Sequence, residues 1–228
     1  MKVCVFSDIH GNGPAFNVAC KMIVAEDADI NVFLGDLCGY YYDQLEIYDR
    51  MAAIPRLLAV KGNHDSVFLS VASGDNELRQ KYKQKYGYSM ELLLEKDTAE
   101  LRKWLSQLPE SCFLSDLALS CYHGSPWNFM EGYVYPDDSL DLFEELSQSF
   151  FLLGHTHYPM VRNAGNKLIM NPGSLGQPRN GGWPTYALLN ITTGQVLTRE
   201  VIYDKAEVIR SIDKVGDKAR YLKEVLGR

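Results

Sequence analysis

The sequence predicts an α/β protein, and one recurring pattern carries most of that prediction. Short runs of apolar and β-branched residues each end in a polar turn marked by glycine or a charged residue. These runs are VCVFSD, INVFLGD, RLLAVKGNHD, LALSCYHG and FFLLGH. Continuous apolar runs of this length are typical of strands that are buried on both faces. Helical patterns separate them, and strand–helix alternation favours a largely parallel sheet.

The predicted helices have recognisable starts. Pro14 suits the first turn of a helix, and apolar residues follow it at helical spacing. Two aspartates, each with a glutamate three residues later, indicate capping boxes. These pairs are Asp43 with Glu46 and Asp97 with Glu100. We therefore expect helices to begin at both places.

The later part of the chain predicts antiparallel hairpins. PMVRN and KLIMN flank a three-residue AGN turn, and YALLNIT and VLTREVIY flank a turn around Gly194. A helical pattern then runs from Val208 to Val215 and on to the C-terminus. The sheet is therefore expected to mix parallel and antiparallel strands.

One segment fits the alternation poorly. Residues 66–95 are polar, rich in aromatic side chains and helical in pattern, with a break expected near Gly74. We interpret them as part of a helical excursion at about 66–108 within a single domain that spans 1–228. The excursion either packs on a sheet edge or forms a lid over a site at the strand ends, and the sequence leaves both open.

Composition limits the function. The chain has 228 residues, 46% hydrophobic and 23% charged, as expected for a soluble globular protein. A net charge of −6 makes a long nucleic acid a poor partner, because such partners select basic surfaces. A small phosphorylated substrate stays compatible, since a bound cation can supply positive charge locally. Nothing decides between a monomer and a homo-oligomer.

Location is predicted from what the sequence lacks. No apolar stretch approaches the roughly 20 residues that cross a bilayer, so we expect no membrane partner. The N-terminal residues do not form a signal-peptide pattern. Five scattered cysteines do not form a disulfide framework. The prediction is a cytoplasmic protein.

The histidines are concentrated at the predicted strand ends. The five of them each follow an apolar run within a few residues: His10, His64, His123, His155 and His157. Because ligands bind beyond the carboxyl ends of strands in such sheets, these side chains are expected to meet. The D-x-H and H-x-H spacings place residues i and i+2 on one side of an extended chain. Each pair is therefore predicted to face one centre.

Polar residues beside glycines complete a candidate metal centre. Its predicted ligands are Asp8, His10, Asp36, Asn63, His123, His155 and His157. Imidazole nitrogen mixed with carboxylate oxygen suits Mn, Fe, Zn or Ni better than Mg or Ca. Seven ligands are too many for one transition-metal ion, and they suit two ions that share a carboxylate.

The motifs resemble those of a known family. D-x-H, G-D, G-N-H-D, H-G and G-H-T-H, in this order over residues 8–157, are similar to the motifs of the calcineurin-like metallophosphoesterase superfamily. The stretch NPGS-x-G-Q-P-R at 171–179 extends the resemblance to the small bacterial and archaeal phosphodiesterase-like branch. This resemblance implies a four-layer αββα sandwich, with two mixed β-sheets face to face and helices outside.

The resemblance also implies roles for the candidate residues. Two divalent transition metal ions are expected, with manganese preferred over iron, nickel or zinc. One ion would be held by Asp8, His10 and His157, the other by Asn63, His123 and His155, and Asp36 would bridge them. His64 would be the catalytic residue beside the leaving group, and in its protonated form it would donate a proton to the departing oxygen.

Two positions are less determined. Many family members have G-D-x-x-D, in which the second aspartate orients the catalytic histidine, whereas this chain has Gly35-Asp36-Leu37-Cys38-Gly39. Asp65 is the candidate substitute. Arg179 is the cation of the NPGS stretch, and it either binds a substrate phosphate or forms a surface salt bridge.

The function implied by the resemblance is a dinuclear metal-dependent phosphoesterase. It would hydrolyse a small phosphate ester, preferably a phosphodiester, by attack of a metal-bridging hydroxide. The alternatives are a phosphomonoesterase or protein phosphatase, and a dinucleoside polyphosphate hydrolase. A non-catalytic protein-binding scaffold is a further alternative. The metal ligands do not separate the enzymes from one another.

Overall fold

The computed structural model describes residues 1–219 and 221–227. The strands are β1 (Lys2–Phe6), β2 (Ile30–Phe33), β3 (Leu57–Ala59), β4 (Ser111–Leu114), β5 (Leu119–Tyr122), β6 (Phe150–Leu152), β7 (Pro159–Ala164), β8 (Lys167–Pro172), β9 (Thr185–Asn190) and β10 (Val196–Glu200). The helices are α1 (Gly13–Ala25), α2 (Gln44–Met51), α3 (Asn63–Ala72), α4 (Asn76–Tyr86), α5 (Ser89–Leu94), α6 (Ala99–Gln107), α7 (Asp141–Glu144), α8 (Lys205–Val215) and α9 (Tyr221–Leu226).

Within the described residues the strands form two mixed five-stranded sheets. The first has the order β10-β9-β1-β2-β3, with β1, β2 and β3 parallel and the β9–β10 hairpin antiparallel to them. The second has the order β4-β5-β6-β8-β7, with β5, β6 and β8 parallel and antiparallel strands at both edges. The predicted mixture of strand directions and both predicted hairpins are confirmed.

The two sheets pack face to face. Val3 and Val5 of β1 lie in one buried cluster with Leu152 of β6 and Met170 of β8. The alternate residues of β1, such as Phe6, point to the other side and pack among the helices that cover the first sheet. Because both faces of β1 are buried, its sequence is a continuous apolar run. The four-layer arrangement is confirmed.

The predicted capping boxes are not formed. Asp43 is the N-cap of α2, but its side chain makes no capping bond, since the carboxylate is turned towards the backbone of Gly13. Thr98 is the N-cap of α6, while the Asp97 carboxylate accepts from the Ala99 N–H at 3.1 Å. Both helices nevertheless start where the sequence predicts.

The C-terminal helical pattern divides into two helices. α8 ends at Gly216, whose left-handed backbone (φ 70°) is a common helix termination. α9 then returns against the turn that follows β2, where the Tyr41 hydroxyl donates to the Leu222 carbonyl at 3.1 Å. The single predicted helix was therefore wrong in its extent.

A helical insertion, residues 63–107, joins β3 to β4 and contains α3 to α6. It starts three residues before the predicted excursion, and the expected break near Gly74 is confirmed by the gap between α3 and α4. Its helix α4 brings Tyr82 and Tyr86 towards the carboxyl ends of β1 and β2. No helix within the described ranges combines the length and apolar character needed to cross a membrane.

Candidate metal centre

The turns at the carboxyl ends of β1, β2, β5 and β6 converge, together with the start of α3. Five of the candidate ligands have left-handed backbone, with φ between 50° and 65°: Asp8, His10, Asp36, His155 and His157. The extended geometry assumed for the D-x-H and H-x-H pairs was therefore wrong, although each pair does face one centre. Non-glycine residues rarely adopt this conformation, and such strain accumulates at functional sites.

One half of the centre contains Asp8, His10 and His157. The Nε2 atoms of the two imidazoles lie 3.0 Å apart. Asp8 Oδ1 lies 3.3 Å from His157 Nε2 and 3.6 Å from His10 Nε2. All three side chains are buried, and these ligand atoms are close enough to hold one ion.

The other half contains Asn63, His123 and His155. His123 Nε2 lies 3.0 Å from Asn63 Oδ1 and 3.2 Å from His155 Nδ1. The histidines are buried and Asn63 is half-buried at the first turn of α3. His155 therefore faces this group through Nδ1, whereas the other histidine ligands face the centre through Nε2.

Asp36 lies between the two halves. Its Oδ2 is 3.6 Å from His10 Nε2 and 3.3 Å from His123 Nε2. Its Oδ1 accepts a hydrogen bond of 2.8 Å from the backbone N–H of His64. One carboxylate oxygen is thus fixed by α3, and the other is directed at both halves.

Backbone carbonyls determine which nitrogen of three imidazoles carries the proton. The Nδ1 atoms of His10, His123 and His157 lie 2.7–2.9 Å from the carbonyl oxygens of Cys38, Leu34 and Gln177. Because a carbonyl only accepts, each Nδ1 must donate. In the neutral ring the lone pair is then on Nε2, directed into the centre, as in protein metal sites.

The residues fit divalent cations. Asp8 Oδ1 and Asp36 Oδ2 are buried and have no hydrogen-bond partner among the described residues. Burial would raise the pKa of both carboxyls, but the neighbouring histidines lower it. Burial alone would lower the pKa of His123, but the Asp36 carboxylate raises it to about 9. Two buried anionic oxygens that face imidazole nitrogens form a group of ligands that a cation would satisfy.

His64 lies at the edge of this cluster, and its partner is a tyrosine. His64 Nδ1 is 2.7 Å from the hydroxyl of Tyr82 on α4, and both side chains are buried. Burial lowers the pKa of His64 to about 3. The protonated form expected from the sequence is therefore disfavoured. A neutral ring that accepts from Tyr82 at Nδ1 retains its proton on Nε2.

Asp65 does not take the place of the missing family aspartate. Its carboxylate accepts from the backbone N–H groups of Asp36, Cys38 and Gly62, at 2.9–3.1 Å. It holds the turn that carries Asp36, while the ring of His64 is held by Tyr82. Sequence reasoning missed Tyr82, although Tyr82 and Tyr86, spaced for one face of a very polar helix, were a usable signal.

The NPGS stretch supports the ligand turns. Ser174 Oγ donates to the Asp8 carbonyl at 2.7 Å. Asn171 Nδ2 donates to the Gly154 carbonyl at 2.6 Å, next to His155. Arg179 donates to the Tyr40 hydroxyl at 3.3 Å and forms no salt bridge among the described residues. The surface salt bridge considered for Arg179 is not formed in this part of the chain.

Known proteins are similar to this chain in sequence and fold. The calcineurin-like phosphoesterase superfamily domain matches residues 1–194. An uncharacterized protein of Methanocaldococcus jannaschii, MJ0912, is 31% identical over 204 aligned positions, and the alignment covers 78% of this chain and 78% of its own. Phosphodiesterase YfcE of Escherichia coli K12 is 22% identical over 83% of this chain and 88% of its own. The crystal structure of a metallophosphoesterase from Sphaerobacter thermophilus has a TM-score of 0.83, at 23% identity, over 100% of this chain and 98% of the other.

Proposed function

The chain belongs to the calcineurin-like phosphoesterase superfamily and is a metal-dependent phosphoesterase, and from this premise we propose that it hydrolyses a small phosphodiester at a dinuclear centre. Asp8, His10 and His157 would hold one divalent ion, and Asn63, His123 and His155 would hold the other. Asp36 would contribute its Oδ2 to both. His64 would act on the leaving group.

One observation carries this proposal. Two buried carboxylate oxygens, Asp8 Oδ1 and Asp36 Oδ2, face imidazole nitrogens whose rings are fixed by backbone carbonyls. Without a cation, the charge of these desolvated oxygens is offset only by protonation of neighbouring histidines such as His123, and a buried carboxylate oxygen that lacks a partner is costly. When bound, two divalent cations neutralise the phosphoryl oxygens and make a water nucleophilic near neutral pH.

The chain's own residues direct a hydrogen-bond donor at the leaving group. Tyr82 can donate to His64 Nδ1, which leaves the Nε2–H of the neutral His64 ring to donate a hydrogen bond to the departing oxygen as negative charge develops there. The Asp36 Oδ1 bond to the His64 N–H couples the position of this ring to the bridging carboxylate. An ester with a poor leaving group would depend most on this donor.

The ligand set, the relatives and the composition support the finer parts of the proposal. Mixed imidazole and carboxylate ligands support manganese, with iron, nickel and zinc as alternatives. The phosphodiesterase activity in the name of the Escherichia coli relative supports a diester. The five free cysteines support a reducing compartment such as the cytoplasm. The net charge of −6 argues against a long nucleic acid as substrate.

The test restores metals one at a time to metal-stripped protein. Hydrolysis of bis-p-nitrophenyl phosphate and p-nitrophenyl phosphate is measured with Mn²⁺, Fe²⁺, Ni²⁺, Zn²⁺ or Mg²⁺, and bound metal is counted by elemental analysis. We expect two ions per chain and faster cleavage of the diester. Preference for the monoester would support the phosphatase alternative. Failure to bind metal would overturn the proposal and favour the scaffold.

A further inference from the structure

A cavity of about 440 Å³ adjoins the metal centre. Four tyrosines and two cations form most of its wall: Tyr40, Tyr86, Tyr133, Tyr221, Lys85 and Arg179. They come from separate segments of the chain, namely the turn after β2, helix α4, the loop after β5, helix α9 and the turn after β8. The fold thus assembles an aromatic and cationic pocket that no single motif encodes.

Two of the tyrosines connect this cavity to the metal ligands. The Tyr40 ring centroid lies 4.5 Å from that of His10 and 5.1 Å from that of His64. The Tyr133 ring lies 4.3 Å from the ring of His155. Two walls of the cavity therefore pack against His10 and His155, one candidate ligand from each half of the centre, and one of them also packs against His64. A group attached to a phosphate at the metals would lie beside this wall.

The aromatic wall has surface available for stacking. Tyr86 and Tyr221 lie 5.3 Å and 5.7 Å from Tyr40, each with its ring close to perpendicular to that of Tyr40. Tyr133 is 54% exposed although it is large and lies beside a buried histidine. The Tyr221 hydroxyl oxygen is buried and has no hydrogen-bond partner among the described residues.

The charge of the wall is opposite to that of the whole protein. Arg179 and Lys85 line the cavity, and none of its described lining residues is acidic, although the chain has a net charge of −6. The Arg179 guanidinium is held in place by its bond to the Tyr40 hydroxyl. Lys85 Nζ lies over the Tyr86 ring, 4.7 Å from its centroid. Two cations beside aromatic rings are suited to an anion joined to a flat ring.

We propose that this cavity is a substrate subsite for a nucleotide, with the base stacked against the tyrosines and a second phosphate beside Arg179 and Lys85. The proposal rests on the proposed function, because it places the scissile phosphate at the metals. It narrows the substrate class to small phosphoesters that carry a nucleobase and more than one phosphate. Base–aromatic stacking gives most of the selectivity, and it tolerates different bases.

Calorimetry with manganese-loaded protein tests the base directly. The probes are AMP and ribose 5-phosphate, which share the same phosphate and sugar and differ by the base. We expect AMP to bind about 5- to 100-fold more tightly. Tyr221→Leu and Tyr86→Leu should each reduce that ratio by about fivefold. Tyr88→Leu, at an exposed tyrosine just beyond α4, is the matched control and should retain it.

The second phosphate is tested with ADP against AMP. We expect ADP to bind more tightly, and Arg179→Met to remove this advantage while the AMP to ribose 5-phosphate ratio is kept. Arg210→Met, at an exposed arginine of α8, is the control. Equal binding of AMP and ribose 5-phosphate by the unsubstituted protein would overturn the subsite. The subsite would also be overturned if Tyr88→Leu reduced the AMP to ribose 5-phosphate ratio as much as Tyr221→Leu and Tyr86→Leu do.

This binding test is separate from the test of catalysis. A base-dependent affinity without turnover of any ester would support the subsite and contradict the proposed function. Turnover of bis-p-nitrophenyl phosphate with no base-dependent affinity would support the function and overturn the subsite. Thermal unfolding of each variant identifies one that fails to fold, and the two tyrosine positions keep the comparison decisive in that case.

Discussion

The two sides of the candidate site are built differently. On one side, the ligand turns carry buried histidines and aspartates in left-handed backbone, and main-chain carbonyls hold their rings. On the other side, the tyrosine wall of the cavity (Tyr40, Tyr86, Tyr133 and Tyr221) comes from the turn after β2, the helical insertion, a surface loop and α9. Its tyrosines range from buried Tyr40 to Tyr133, which is 54% exposed.

This difference predicts separate roles for the two sides: catalysis for the ligand turns and substrate preference for the tyrosine wall. The ligand turns are supported by both sheets, so a change there disturbs the core as well as the centre. The tyrosine wall is held largely by side-chain contacts, and a ring can be replaced without moving a strand. We therefore expect substitutions in the turns to abolish catalysis, and substitutions in the wall to alter which ester is preferred.

The largest effect is expected from Asp36→Asn. The amide keeps the shape of the side chain but removes the charge that faces both halves of the centre. We expect no measurable hydrolysis of bis-p-nitrophenyl phosphate and fewer than two ions bound per chain. Asp137→Asn, in an exposed loop, is the control and should behave as the unsubstituted protein. Normal turnover in Asp36→Asn would mean that the turns do not carry the chemistry.

His64→Ala should give the next largest loss, about 10²- to 10⁴-fold with an alkyl leaving group. The loss should be smaller with p-nitrophenolate, which leaves without a proton. Metal content should stay at the value of the unsubstituted protein. These rates are compared as kcat for the two kinds of diester. An equal loss for both leaving groups would argue that His64 binds metal instead of donating a hydrogen bond to the leaving group.

Metal affinity should depend on pH through the ligand turns. The pKa of His123 is raised to about 9 in the metal-free centre, so metal must displace a proton below that pH. We expect the affinity for Mn²⁺ to rise about tenfold per pH unit from pH 7 to 8.5. The measurement is calorimetry in buffers of different ionisation enthalpy. The absence of proton release on Mn²⁺ binding at pH 7 would contradict this prediction.

The raised pKa of His123 also makes the stability of the metal-free protein depend on pH, but this stability falls as the pH rises, whereas the metal affinity rises. Protonated His123 stabilises the metal-free fold fully below its ordinary value of 6.5, and this contribution is lost as the pH rises through about 9. Bound metal needs the neutral ring. The difference in melting temperature between metal-loaded and chelator-treated protein should therefore widen between pH 6.5 and 9. A difference in melting temperature that stays constant over this pH range would mean that His123 does not bind the proton.

Tyr82→Phe tests the link between the two sides and should have the smallest effect. It removes one hydroxyl, 2.7 Å from His64 Nδ1, from a side chain that belongs to the helical insertion. We expect kcat to fall about tenfold, as for loss of a partner that orients a site residue, with KM little changed. The pH profile of kcat should also shift. Tyr88→Phe controls for losing a hydroxyl just beyond α4.

The sequence by itself determined the strand runs, the hairpins and the set of candidate ligands that the structure brings together. These features are local: each run, turn and motif is contiguous, and buried strands and polar strand ends restrict residue types strongly. The resemblance of the motifs to a known family implied that Asp36 lies between the two groups of candidate ligands, and the structure has it there. The left-handed turns were missed because D-x-H spacing is compatible with extended backbone as well.

Only the tertiary structure decided what surrounds the ligands. Tyr82 lies 18 residues from His64, on a helix whose pattern indicates only that one face is aromatic. Tyr221 reaches Tyr40 across 181 positions, and α9 was not expected as a separate helix. Contacts of this kind depend on how separate elements pack against each other. The local sequence pattern is compatible with many residue types at such positions, so it does not predict these contacts. The candidate ligands could be predicted from the chain, whereas the pocket proposed to select the substrate could not.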